Sequence, residues 1–162
     1  MDYYDNASEL HAQSTLERLE EILSAFRQRF TYERGIYDCS NMSVYLEWTL
    51  ENLGFDARIM SGAAPPQPDA GSHAWVVVHT IDGYTVPIEA TSSAFAPKWV
   101  PGMVSSGSPY YEAYLSGVDG DDGACEWDSI YEYASSRTHT EWKWWWWMDD
   151  IREEMRGLHE PV

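Results

Sequence analysis

Apolar residues recur at helical spacing along the first part of the chain. Leu16, Leu19, Ile22, Leu23, Phe26 and Phe30 alternate with Glu17, Arg18, Glu20, Glu21 and Arg27. Steps of three and four predict one long amphipathic helix over residues 8 to 30, with Ser8 as its N-cap. TYERGIYD breaks the pattern at Gly35. A second helix is predicted from Cys39 to Leu53, its buried stripe made by Met42, Tyr45, Leu46, Leu50 and Leu53. Asp38 stands where it can cap the start, and Gly54 where it can end the helix.

After Gly54 the period changes to two. FDARIMSG puts Phe55, Ala57 and Ile59 on one face of a predicted strand. AAPPQPDAG is too rich in proline to continue a central strand. SHAWVVVHT and TVPIEATS flank Asp82-Gly83 and predict an antiparallel hairpin, with Pro87 at an edge or a bulge. Residues 94 to 138 are rich in Gly, Ser, Tyr and Asp and weak in periodicity. They predict an irregular excursion with a short helix near Tyr110 to Leu115, and long loops of this kind commonly form lids or binding surfaces. The chain ends in a predicted Trp-rich helix over 141 to 156. Trp144, Trp147, Met148, Ile151 and Met155 form its stripe, and Trp145 and Trp146 fall off it. One α+β domain over residues 1–162 is expected, with its core at about 8–92 and the N-terminal helix packed on an antiparallel sheet.

Composition narrows the functional classes. The chain has 162 residues, 44% hydrophobic and 15% aromatic, enough for a sizeable core. Its formal net charge is −17, and Lys98 and Lys143 are its lysines. A phosphate backbone requires a basic face, so nucleic acid is not an expected partner. No apolar run reaches membrane-spanning length. The start MDYYDNASEL has neither the basic patch nor the apolar stretch of a signal peptide. The compartment stays open between the cytoplasm and an exported domain of a longer chain.

Metal and cofactor chemistry finds no pattern. Cys39 and Cys125 are too few for a disulfide framework, although one bridge between them is an alternative, and no C-x-x-C spacing occurs. The acidic stretch VDGDDGACEWD fails the calcium-loop test. Counted from Asp119, Ala124 stands where glycine is needed and Ile130 where glutamate is needed. His11, His139 and His159 have no partner spacing, so no metal and no cofactor is assigned.

Three residues do suggest chemistry. Cys39 opens a helix, where the dipole favours a thiolate. His73 opens a strand, and Glu89 lies on the next one. In a hairpin closed at Asp82-Gly83 the last two come near each other across the strands. A thiol attacks a carbonyl, an imidazole takes and returns its proton, and a carboxylate holds the imidazole in the productive tautomer. The plainer alternatives are a buried inert thiol at Cys39, a strand histidine with a backbone partner at His73, and a surface acid at Glu89. The Cys39 N–H is one natural oxyanion donor, and Gln28, Tyr32 and Tyr37 are unranked candidates for a second. His79 is expected to be an exposed polar residue near the turn, and Trp75 to be core.

These residues stand in a recurring order: DCSNMS, then GFDARIMSG from Gly54 to Gly62, then His73-Ala74-Trp75, then Glu89-Ala90-Thr91. Over about residues 35 to 92 the chain resembles the transglutaminase-like cysteine enzymes. The resemblance implies a papain-like core, with Cys39 as nucleophile, His73 as general base and acid, and Glu89 as the orienting acid. It implies thioester chemistry on amide or ester bonds, as a peptidase, amidase or acyl transferase acting on a peptide or protein. Two positions depart from the pattern. Glu89-Ala90 stands where the family usually has aspartate and proline, and Asp38 adjoins the cysteine. Arg58 resembles the family's arginine, with an expected structural role of pairing an acid and tying its strand to the helix. The alternatives are a peptide- or glycan-binding module of the same fold without turnover, or a structural dimer joined through Trp145 and Trp146 of the last helix.

Overall fold

The computed structural model describes residues 4, 8–28, 30–65, 71–91, 102–118 and 124–136. The Trp-rich helix expected at 141–156, its dimer contact, most of the proline-rich loop and the acidic stretch from Asp119 to Gly123 fall outside the described residues. Among these residues the chain is a mixed α+β structure built on a four-stranded antiparallel sheet. A 3₁₀ turn (Ser8–Gln13) leads into helices α1 (Leu16–Ala25) and α2 (Cys39–Asn52). Strands β1 (Asp56–Ala63), β2 (Ser72–His79) and β3 (Thr85–Ile88) follow, then α3 (Tyr111–Ser116), β4 (Cys125–Trp127) and α4 (Ile130–Ser135). The strand order is β3-β2-β1-β4.

The single helix expected over residues 8 to 30 is two elements, and it ends early. Thr15 caps a new helix by accepting the Arg18 N–H. Ser14 turns its carbonyl to the Ile81 N–H at 2.9 Å, and the Leu16 N–H donates to Asp82 Oδ1 at 3.1 Å. Bonds to the β2–β3 turn thus replace the intrahelical bonds at the junction, a choice that depends on residues some 66 positions away. The apolar spacing survives the break, because Leu19 and Leu23 of α1 are buried against Leu46, Leu50, Val76 and Val78.

Helix α2 starts and ends where its signals place it. Asp38 accepts the Ser40 N–H, and Asn41 returns a side-chain bond to the Asp38 N–H, a reciprocal cap. The helix is buried on more than its apolar stripe. Met42, Val44 and Trp48 enter one cluster with Ile130, Tyr133 and Ala134 of α4, while Leu46 and Leu50 enter the cluster under α1. A helix covered on all sides is a core helix. It therefore buries polar residues too, Glu47 among them. The Tyr4 hydroxyl donates to Glu47 at 2.6 Å, and burial holds the Glu47 carboxyl well above the usual carboxylate range.

The hairpin forms as expected around Gly83, which has φ of +94°. Pro87 faces Val77 in the register and lies on the edge strand. Its carbonyl accepts the Val104 N–H at 2.9 Å on the outer side. Since N–H and C=O of one strand residue point the same way, the missing proline donor also faces outward and costs no bond to β2. The described residues of the segment from 94 to 138 are less irregular than the periodicity suggests. The short helix is present as α3, but β4 and α4 were not expected. Strand β4 has three residues, too few for alternation to show, and it is fixed by pairing to Ile59, Met60 and Ser61. Arg58 holds that pairing, and its charge also acts on Glu51 of α2. It donates to Glu126 at 2.6 Å and Asp128 at 2.9 Å, so it ties β1 to β4 and the turn beyond.

Gly54 is required twice over. Its φ is +94°, and a Cβ there would lie 2.5 Å from the Leu10 carbonyl carbon. Gly54→Ala should lower stability by about 2–4 kcal/mol, read as a lower urea midpoint at unchanged slope. Glu51 supplies a pH test. Burial, then its neighbour Asp56, lifts its carboxyl from 4.5 to about 7 against the opposing bond from the Ala57 N–H. A folded value above the unfolded one means that this group's contribution is fully present below pH 4.5 and lost as pH rises through 7. Glu51→Gln should therefore stabilise the protein by on the order of 2 kcal/mol above pH 7, and the gain should vanish below pH 4.5 in melts taken across pH.

Candidate active site

The site lies where the N-terminus of α2 meets the start of β2 and the end of β3. Cys39 is the first residue of α2 and half-buried. An N-terminal helix position leaves its N–H without an intrahelical acceptor and places the sulfur at the positive end of the dipole. The neighbouring Asp38 carboxylate is occupied as the cap. One oxygen accepts from Ser40 and the other from the Gly35 N–H at 3.1 Å. The turn before α2 is closed by the Glu33–Tyr37 bridge, which fixes where the helix begins.

His73 and Glu89 are brought together by the hairpin register. Val76 pairs Ile88, so Glu89 comes opposite Trp75, diagonal to His73 on the same face. The His73 Nε2 lies 2.9 Å from both Glu89 oxygens. The Cys39 thiol is a second hydrogen-bonding partner of the ring. Burial opposes the charged ring. Bonds to Cys39 and Glu89, with their charges, outweigh it and push the imidazole up to about 10.

Glu89 is not a surface acid. It is 3% exposed, and donors surround it. The Thr91 hydroxyl donates to Oε1 at 2.9 Å, and the Tyr114 hydroxyl donates to Oε2 at 3.0 Å. Burial, then the adjacent Glu89 charge, raises the Tyr114 phenol, so it remains a hydroxyl donor. Tyr114 belongs to α3 and is anchored by Trp75, whose indole N–H donates to the Tyr114 carbonyl at 2.8 Å with the rings edge to face. Trp75 is core, as expected, and also a support of the site. Sequence reasoning missed Tyr114. The one signal pointing to it is general: a buried carboxylate needs donors, and PYYEAYL is the Tyr-rich segment that can supply one.

The remaining candidates fall on either side. Gln28 donates through Nε2 to the Met42 and Ala90 carbonyls, and the Tyr37 hydroxyl donates to Gln28 Oε1. Neither side chain aims its donor at the sulfur. Tyr32 is half-exposed, and burial, then the nearby Cys39 sulfur and the Asp38 carboxylate, raises its phenol. His79 contacts Thr85 at 3.2 Å, near the turn and away from the site. Cys39 and Cys125 are both free thiols, so the single bridge is not formed. Among the described residues no three His, Cys, Asp or Glu side chains converge to hold a metal. None of the helices there is long and apolar enough to cross a membrane. A cavity of about 240 Å³ opens beside Glu89, lined by Leu23, Phe26, Gln28, Leu46, Ile88 and Ala90 among others.

No family model matches the chain, and no solved structure matches it. It is 37% identical over 76 residues to an uncharacterized protein of Methanocaldococcus jannaschii. The match covers 47% of this chain and 32% of that protein.

Tyr114→Phe should cost about 1–3 kcal/mol in urea unfolding, because it removes a donor from a buried charge. Paired with Glu89→Gln in a double-mutant cycle, it should show a coupling of about 1 kcal/mol or more, whereas additive effects would mean that the two groups do not interact.

Proposed function

We propose that this chain is a cysteine-dependent acyl hydrolase or acyl transferase, with a transglutaminase-like core of the papain type, acting on amide or ester carbonyls of a peptide or protein. One observation carries the reading: the His73 ring has both the Cys39 thiol and a buried, fully partnered Glu89 as partners. Glutamate in the third place is accommodated because Thr91 and Tyr114 hold the longer side chain where Nε2 needs it.

The chemistry follows from these positions. His73 takes the thiol proton as the sulfur is engaged. The sulfur attacks the substrate carbonyl carbon, and the developing oxyanion meets the Cys39 N–H. Tyr32, beside Cys39, is the remaining upstream candidate for a second donor. His73 then gives its proton to the leaving amine or alcohol, the bond to it breaks, and a thioester on Cys39 remains. Water or an amine, deprotonated by His73, attacks the thioester and returns the sulfur. The incoming nucleophile decides between hydrolysis and transfer. The exposed Tyr32 and Ile36, on the turn leading into Cys39, give an approaching peptide an apolar rim.

Iodoacetamide labelling tests the reading. Exposure alone predicts that Cys125 reacts first, since it is exposed and Cys39 is half-buried. An activated Cys39 should instead be labelled about tenfold faster at pH 7 by mass spectrometry, and His73→Ala should abolish that advantage. Slow and equal labelling of both cysteines would sink the enzyme reading and leave the binding module.

A further inference from the structure

Gln28 lies between the two elements that carry the ends of the triad. Its Nε2 donates to the Met42 carbonyl at 3.0 Å, one turn into the helix that Cys39 opens. The same nitrogen donates to the Ala90 carbonyl at 3.4 Å, the residue after Glu89. Its Oε1 accepts the Tyr37 hydroxyl at 2.9 Å, and Tyr37 is 1% exposed with its ring packed edge-on against Phe30. The amide is thus held by a buried anchor on one side and aims both of its N–H groups at backbone carbonyls. The Met42 carbonyl also serves the helix ladder with its other lone pair. Ala90 lies beyond the end of β3, where the strand ladder no longer supplies it with a partner from β2.

We propose that Gln28 is a positioning residue that brackets the nucleophile's helix to the acid's strand, and is not an oxyanion donor. The inference rests on the triad reading above. His73 must reach the sulfur with one nitrogen and the carboxylate with the other, so the gap between α2 and the end of β3 has to match the width of one imidazole. No main-chain pairing joins those two elements. The Gln28 amide joins them directly, and Tyr37, two residues before Cys39, keeps it from turning. A displacement of about 1 Å at such a site is enough to cost a large factor in rate.

Alkylation separates the two roles. Iodoacetamide reacts by forming a sulfur–carbon bond as the carbon–iodine bond breaks and iodide leaves, and no oxyanion develops. An oxyanion donor is therefore silent in this reaction, while a positioning residue is not. Gln28→Ala should slow Cys39 alkylation at pH 7 by about tenfold and shift its pH–rate profile toward that of His73→Ala. Tyr37→Phe, which keeps the buried ring and removes the anchor, should give a smaller slowing in the same direction. Far-UV circular dichroism reports whether each variant is folded, and if Gln28→Ala is not, Tyr37→Phe decides. Unchanged alkylation in a folded variant, with acyl transfer from a p-nitrophenyl ester reduced, would overturn the proposal in favour of an oxyanion role. Wild-type Cys39 reacting no faster than Cys125 would instead remove the triad reading itself, an outcome visible before any Gln28 variant is made.

Discussion

A carboxylate taken out of water must be surrounded by donors, and at Glu89 that need organises much of the molecule. The side chain is 1% exposed. His73 reaches it from β2, Thr91 from two residues on, and Tyr114 from a helix more than twenty positions later. Each donor comes from a different segment, so satisfying one buried charge also sets the hairpin register and docks α3 on the sheet face. Trp75 completes the arrangement by bonding the Tyr114 carbonyl beneath it. Removing a single partner from such a group costs more than a typical neutral hydrogen bond, because the charge would remain without full compensation.

Helix α2 supplies the other half. It runs through the centre of the fold, between the sheet on one side and α1 and α4 on others. Its first turn is fixed by the Asp38–Asn41 cap and by the Ser40 contact with the Tyr133 hydroxyl at 2.8 Å. A side chain on the first residue of so constrained a helix has little freedom to wander. The Asp38 carboxylate, which would repel a neighbouring thiolate if directed at it, is instead directed at backbone N–H groups. The Cys39 environment is thus set by the cap as much as by the dipole.

Much of the candidate site was legible before the fold. Cys39 at a helix start follows from Asp38 and the apolar stripe behind it. The His73–Glu89 meeting follows from a hairpin closed at Asp82-Gly83, because a tight turn fixes register over the few residues that separate it from the site. Tyr114 was not legible, since its role depends on a contact between an excursion and a sheet face that no local period encodes. The fate of Gln28 was open for a similar reason: three upstream side chains had suitable donors, and only their partners in space distinguish them. Arg58 was read correctly as a partner of acids, but its tie to β4 was not legible, because β4 is too short to announce itself.

Local chemistry, then, determined the elements with their own signals: the capped α2, the two-residue alternation of β1 and the turn of the hairpin. Those features arise from interactions within a few residues, and a linear sequence displays them directly. The tertiary structure decided where the first helix breaks, what covers the sheet beyond β3, and which donors surround Glu89. The Ser14–Ile81 and Leu16–Asp82 bonds, the β1–β4 pairing and the Tyr114–Glu89 contact join residues that are distant in the chain. Their energies exist only once the core has brought them together.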